Sequence, residues 1–199
     1  MKFKPWFYSV LRAVFSPLFK LIYRVKFVNA HNLPDSGAYI LAANHISGVD
    51  PIIMAVGQKH RYIHYMAKAE LFNNKLKEWF FKSIGCFPVQ RGNSDINSVK
   101  HFEQVVNNGN IMGIFIEGTR SKTGEFLKPK SGAALIAFDT KTPVIPVCNT
   151  KTDKGYICHF GDPMTLEELG FNNGGAKEYR EASRRIMDKI KSFREQDLS

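Results

Sequence analysis

ILAANHISGVDPIIMA, residues 40–55, is apolar apart from Asn44, His45, Ser47 and Asp50. On one continuous helix five positions rotate through about 500°, which leaves about 140° between His45 and Asp50 and turns them apart. They meet only if the chain changes structure between them. Gly48 permits a tight turn. Asp50 followed by Pro51 reads as a capping carboxylate and the first residue of a helix. The stretch therefore predicts a strand ending near His45, a short loop, and a helix from Pro51 to Gly57 capped by Asp50, with the carboxylate folded back toward the imidazole. A histidine held this way acts as a general base toward a hydroxyl, the carboxylate selecting its tautomer and stabilising the imidazolium. Read by itself, the spacing also fits, and more simply, a helix cap beside a hydrogen-bonded core histidine.

The same alternation continues outward. VKFVNA (residues 25–30) and AYILAA (38–43) read as strands around the turn LPDSG (33–37). YIHYMA (62–67), IMGIFIEG (111–118), PVIPVCN (143–149) and GYICHFG (155–161) read as further strands, and CFPVQR (86–91) as a short extended piece. LFNNKLKEWFFKSIG (71–85), SDINSVKHFEQVVNNGN (94–110, with Ser94 as a cap), SGAALIAFDT (131–140) and residues 174–196 read as helices. This order predicts an α/β fold: a single domain with a mixed, largely parallel sheet flanked by helices.

The first 26 residues stand apart. MKFKPWFYSVLRAVFSPLFKLIYRVK lacks the roughly 18 consecutive apolar residues of a spanning helix, and shows no clear signal-peptide pattern. At about 100° per residue, Ser9, Arg12, Ser16, Lys20 and Arg24 gather on one side, opposite Phe7, Leu11, Val14, Phe15, Leu18, Leu21, Ile22 and Val25. Pro17 is expected to kink or split the helix. Residues 1–26 thus read as an amphipathic two-helix membrane-docking segment, with Trp6, Phe7 and Tyr8 suited to a headgroup boundary. Residues 27–199 form the domain proper.

With 28 Lys and Arg against 18 Asp and Glu, the chain carries +10 and calls for anionic partners. The basic residues are spread along the chain, and no block reads as a nucleic-acid tail. Cys86, Cys148 and Cys158 form no CxxC pair and read as buried thiols. His60 and His64 lack a carboxylate at metal-ligand spacing, and no phosphate-loop or dinucleotide fingerprint occurs.

Four blocks in order change the weight of the opening stretch. NHISGVD (44–50), GCFPVQR (85–91), FIEGTRS (115–121) and TPVIPV (142–147) together resemble the glycerolipid acyltransferase family, in its 1-acylglycerol-3-phosphate acyltransferase group. Three positions depart from the usual pattern: Ile116 stands where proline usually precedes the glutamate, Gln90 where an acidic residue is common, and Gly48 where a bulky residue is common. The resemblance implies that His45 removes the proton of a glycerol hydroxyl that attacks an acyl thioester, and that Asp50 orients His45. It implies that Arg91 and Arg120 bind the acceptor's phosphate, with Glu117, Gly118 and Thr119 completing the acceptor site. Lys128 and Lys130 follow closely, as further phosphate or membrane contacts or as a solvated loop. The expected reaction moves a fatty acyl group to lysophosphatidic acid or a related lysolipid, giving phosphatidic acid. Another lysophospholipid, glycerol 3-phosphate or a lyso amino-acid lipid is the alternative acceptor. Acyl-CoA or acyl-acyl carrier protein is the expected co-substrate, with no metal and no other cofactor. The expected place is the cytoplasmic face of the cell membrane, against an anionic surface, with no nucleic acid. A non-catalytic basic module would explain the charge, but gives no reason for His45, Asp50, Glu117 and Arg120 in that order.

Overall fold

The computed structural model describes residues 3–89 and 96–199. After an N-terminal helix α1 (Pro5–Tyr23), the chain runs β1 (Val25–Val28), β2 (Tyr39–Ala43), α2 (Asp50–Gly57), β3 (Ile63–Lys68), α3 (Lys75–Ser83), β4 (Cys86–Val89), α4 (Ile96–Asn107), β5 (Ile111–Phe115), α5 (Gly132–Thr140), β6 (Val144–Thr152), β7 (Gly155–Phe160) and α6 (Ala176–Leu198). The strands form one seven-stranded sheet in the order β1-β7-β6-β2-β5-β3-β4. From β6 to β4 all neighbours are parallel; β7 turns back antiparallel on β6, and β1 lies parallel to β7. The sheet is therefore mixed and largely parallel, as the alternation of segments predicts.

β2 is central, and every one of its residues is buried, as a strand covered on both faces must be. Ile40 and Ala42 face one core with Phe102, Ile136, Ile186 and Met187 from α4, α5 and α6. Tyr39, Leu41 and Ala43 face the other with Ile53 and Met54 of α2 and Tyr156 and Cys158 of β7. Period-2 alternation thus sorts the apolar residues between two layers. α6 buries Ala182, Ser183, Ile186, Met187 and Ile190, the spacing of one helical face.

Two expectations are corrected. α1 is one helix that runs through Pro17 rather than two. Pro17 and Ala13 are both exposed, so the carbonyl that the missing amide leaves free is not buried, which removes the main penalty of an interior proline. Both halves are also held from the side: Tyr8 is buried, and Tyr23 packs on the core of the β7 face. The third helix begins later than its apolar spacing suggests. Leu71 lies in a 3₁₀ turn (Ala69–Phe72), and Asn74 caps α3 by accepting the Lys77 amide at 2.8 Å.

Candidate active site

β2 and β5 are parallel neighbours, so their carboxyl ends open at the same edge of the sheet, with Ala43 opposite Phe115. The loops after them carry the two polar blocks. Backbone bonds stitch these loops together: Ile116 N–H donates to the Ala43 carbonyl at 2.9 Å, and Ser121 N–H to the His45 carbonyl at 2.8 Å. Neighbouring β2 and β6 are joined by an amide pair. Asn44 donates to the Asn149 carbonyl at 2.9 Å, and its own side-chain oxygen accepts the Asn149 backbone amide at 2.7 Å. The strand end that presents His45 is pinned on both sides.

His45 Nδ1 and Asp50 Oδ2 are 2.7 Å apart. The same Oδ2 accepts the Ile46 and Ser47 amides, each at 2.8 Å. Asp50 therefore caps the preceding loop rather than its own helix, a difference from the sequence expectation. The reason is steric: the Val49 carbonyl already takes the Ile52 and Ile53 amides, and the carboxylate aimed at the imidazole cannot also reach them. Its other oxygen, Oδ1, accepts the Tyr156 hydroxyl. Asp50 is fully buried and His45's side chain is 14% exposed. The His45 ring stacks on Phe115 with centroids 4.0 Å apart and planes 18° from parallel. With Nδ1–H donating to the carboxylate, Nε2 is left as the basic nitrogen.

The turn after β5 sits beside this pair. Gly118 has φ +71°, in the left-handed region that favours glycine, and a Cβ there would meet Lys130 Cγ at 3.2 Å. Gly118, Thr119 and Arg120 are exposed. A Cβ on Gly48 would meet the Arg120 guanidinium at 3.3 Å, so Arg120 rests on the loop between His45 and Asp50. Glu117 is buried, and neither of its carboxylate oxygens has a well-formed hydrogen bond. Burial pushes its carboxyl up, partly offset by the nearby Leu127 and His45 backbone and by the charges of His45 and Arg194. Lys128 and Lys130 are exposed, and Lys130 alone of the two lies along the glutamate turn. Its backbone amide donates to the Ile116 carbonyl at 2.7 Å. Arg91 and Gln90, like the Ser94 cap, lie outside the described residues.

A family model described as Acyltransferase matches residues 24–150. The chain belongs to the acyltransferase family. Among curated relatives, the 1-acyl-sn-glycerol-3-phosphate acyltransferase of Bacillus subtilis (strain 168) is 43% identical over 122 residues, 61% of this chain and 60% of that protein. The enzyme of the same name from Streptococcus pneumoniae is 31% identical over 174 residues, covering 82% of this chain and 64% of that protein. The match thus spans less than two thirds of the length of either relative. The crystal structure of PlsC, the 1-acyl-sn-glycerophosphate (LPA) acyltransferase of Thermotoga maritima, superposes with a TM-score of 0.73, covering 96% of this chain and 81% of that one at 20% identity. That likeness concerns the fold.

Within this acyltransferase-family chain, the departure at Ile116 acquires a physical meaning. A proline there has no amide hydrogen, and the bond from Ile116 to Ala43 would be lost. Three contributors escaped sequence reasoning. Tyr156 and Asn149 reach the site from β7 and β6. Arg194 of α6 donates to the Gly124 carbonyl at 2.8 Å, lies 3.8 Å over the Phe126 ring and braces the loop after the glutamate turn. Only period-2 alternation, which puts the Tyr156 hydroxyl on a buried face in need of a partner, hints at the first.

The remaining candidates separate. His64 is buried and its imidazole is pushed down by burial, whereas His60 is exposed. Among the described residues no group of three or more His, Cys, Asp or Glu is arranged to hold a metal ion. Burial raises the Cys86 thiol to about 12 and the Cys148 thiol to about 11, and Cys158 rises well above its ordinary value, so all three are unreactive thiols.

Proposed function

We propose that this chain transfers a fatty acyl group from acyl-CoA or acyl-acyl carrier protein to the sn-2 hydroxyl of 1-acylglycerol 3-phosphate, giving phosphatidic acid. One observation carries the reading: a base held by a buried carboxylate shares its loop with a guanidinium, since Arg120 rests on Gly48 between His45 and Asp50. A base for a hydroxyl and a cation for a phosphate thus stand within one acceptor's reach. The names of the curated relatives support the same acceptor.

In this mechanism His45 Nε2 takes the proton of the acceptor hydroxyl as its oxygen attacks the thioester carbonyl. Asp50 stabilises the imidazolium across the 2.7 Å contact. The tetrahedral intermediate collapses with cleavage of the carbon–sulfur bond, and the imidazolium returns its proton to the departing thiolate. Arg120, joined by Arg91, binds the phosphate, for which the planar guanidinium is suited. Glu117, Gly118 and Thr119 hold the glycerol portion. The thioester is a co-substrate, and the residues supply the rest of the chemistry.

The reaction would occur at the cytoplasmic face of the cell membrane. α1 supports this reading because its polar side faces the domain: Arg12 donates to the Gln58 and Arg61 carbonyls at 2.9 and 2.8 Å, and Ser9 meets the Tyr62 hydroxyl at 3.0 Å. Its outward side exposes Trp6, Val10, Val14, Leu18, Leu21 and Ile22, a surface suited to a membrane interface. No helix among the described residues is long and apolar enough to cross a membrane.

The test is an acyl-transfer assay with purified protein, crossing the two thioester donors with lysophosphatidic acid, other lysophospholipids and glycerol 3-phosphate. Phosphatidic acid from lysophosphatidic acid, at a kcat/KM at least tenfold above every other acceptor, is the expected result. Transfer only to another acceptor would reassign the substrate, and no thiol release with any pair would overturn the reading.

A further inference from the structure

We infer that Tyr156 is a positioning residue of the His45–Asp50 pair, a second support for Asp50 supplied by β7. The topology explains how a residue 106 positions away in sequence arrives there. β2 carries His45 at its carboxyl end, and β6 runs parallel to β2. β7 is antiparallel to β6, with Tyr156 opposite Lys151. The start of β7 therefore lies at the edge where the parallel strands end. Tyr156 occupies that start, on the face that α2 covers.

Its ring is 3% exposed. Its hydroxyl donates to Asp50 Oδ1, while His45, Ile46 and Ser47 all converge on Oδ2. Tyr156 therefore donates to one whole oxygen of a fully buried carboxylate. A buried anion with an unmatched oxygen is costly. The hydroxyl satisfies that oxygen and fixes the carboxylate's plane, which in turn sets the direction of the Nδ1 hydrogen bond. Desolvation and the Asp50 charge push the Tyr156 phenol well above its ordinary value, so it stays a donor throughout the range of an assay. Tyr65, Cys148 and Cys158 also act on Tyr156 or face Asp50, and burial keeps all three protonated and neutral; at the His45 end of the pair stand Glu117 and Arg120, which the substitution leaves in place. Tyr156 also lies beyond residues 24–150 of the family match, so its role comes from the sheet and not from the four sequence blocks.

Tyr156→Phe keeps the ring and removes only the donor. The kinetic arm rests on the acyl-transfer reading. It expects kcat about tenfold lower, the acceptor KM within about twofold, and the acid limb of the kcat/KM profile moved up by roughly one pH unit. The sign follows because loss of the donor makes Asp50 harder to keep ionised and more basic toward His45, and either effect requires a higher pH for the active form. Tyr39→Phe is the comparison. It loses a buried hydroxyl that accepts from Gln58 at 2.6 Å, at the opposite end of β2, and leaves the acid limb where it was. A second arm needs no turnover: the His45 imidazole resonances of Tyr156→Phe, followed by NMR at low temperature, titrate at higher pH than in the unaltered protein. If they move while no acceptor is acylated by the unaltered protein, the acyl-transfer reading fails and the positioning role stands. Unchanged His45 titration, or wild-type kcat with an unmoved acid limb, overturns the positioning role.

Discussion

Among the described residues, two histidine–aspartate pairs meet in different settings. His45 and Asp50 meet at 2.7 Å, and His159 and Asp197 at 3.0 Å. Each ring is stacked on a phenylalanine, Phe115 at 4.0 Å for the first and Phe193 at 4.3 Å for the second. In the second pair both side chains are almost sealed, at 7% and 5% exposure, and the outer nitrogen of His159 faces the Asn29 amide at 3.4 Å. That pair ties the end of α6 to β7. In the first, the loop between the two residues carries Arg120 against Gly48, and the buried Glu117 lies close enough to feel the His45 charge. The carboxylate partner is common to both pairs; under the proposed reading, what separates them is that Asn29 meets the second nitrogen of His159, whereas the His45 loop carries Arg120.

The largest expected effect breaks the symmetry directly. His45→Ala lowers kcat by about 10³-fold or more with an unchanged melting curve, whereas His159→Ala keeps kcat within about threefold and lowers stability by about 2 kcal/mol. Steady-state kinetics beside thermal melts decide this, and equal losses of activity would erase the distinction. Asp50→Asn follows, with about 10²-fold lower kcat through a wrong imidazole tautomer; Asp197→Asn registers in the melt alone. Arg120→Gln raises KM for phosphate-bearing acceptors by about tenfold and barely changes transfer to an acceptor without phosphate. The smallest effect concerns Glu117. Its carboxyl is raised by burial, so the folded state holds a proton that the unfolded chain has already released. Wild-type stability therefore falls as pH climbs from the ordinary carboxylate range through the raised value. Glu117→Gln escapes that fall, so it melts roughly 2–4 °C higher than wild type at neutral pH and equally in acid, while acceptor binding weakens. An identical pH dependence of the two melts would remove the buried-charge account.

Much of this is legible in the sequence alone. A helix-opening Asp50-Pro51 behind Gly48 forces strand, loop and helix, because no continuous helix brings positions five apart together. The order of blocks brought Glu117 and Arg120 to the same site. The sequence misjudged the continuity of α1 at Pro17, whose cost depends on whether the freed carbonyl is buried. It also misread the target of the Asp50 carboxylate, because only the folded loop shows that Val49 has already taken the first helical amides.

The local alphabet determined the elements, the two apolar periods, the His-to-Asp turn and the positive charge, since these depend on neighbours within a few positions. The tertiary structure decided which strands lie side by side. With them it decided that Asn149 braces Asn44 across 105 positions and that the arginine of one loop rests on the glycine of another. It also set the two histidine–aspartate pairs apart. Those outcomes depend on strand order and on what buries each side chain, and no window of sequence contains both partners.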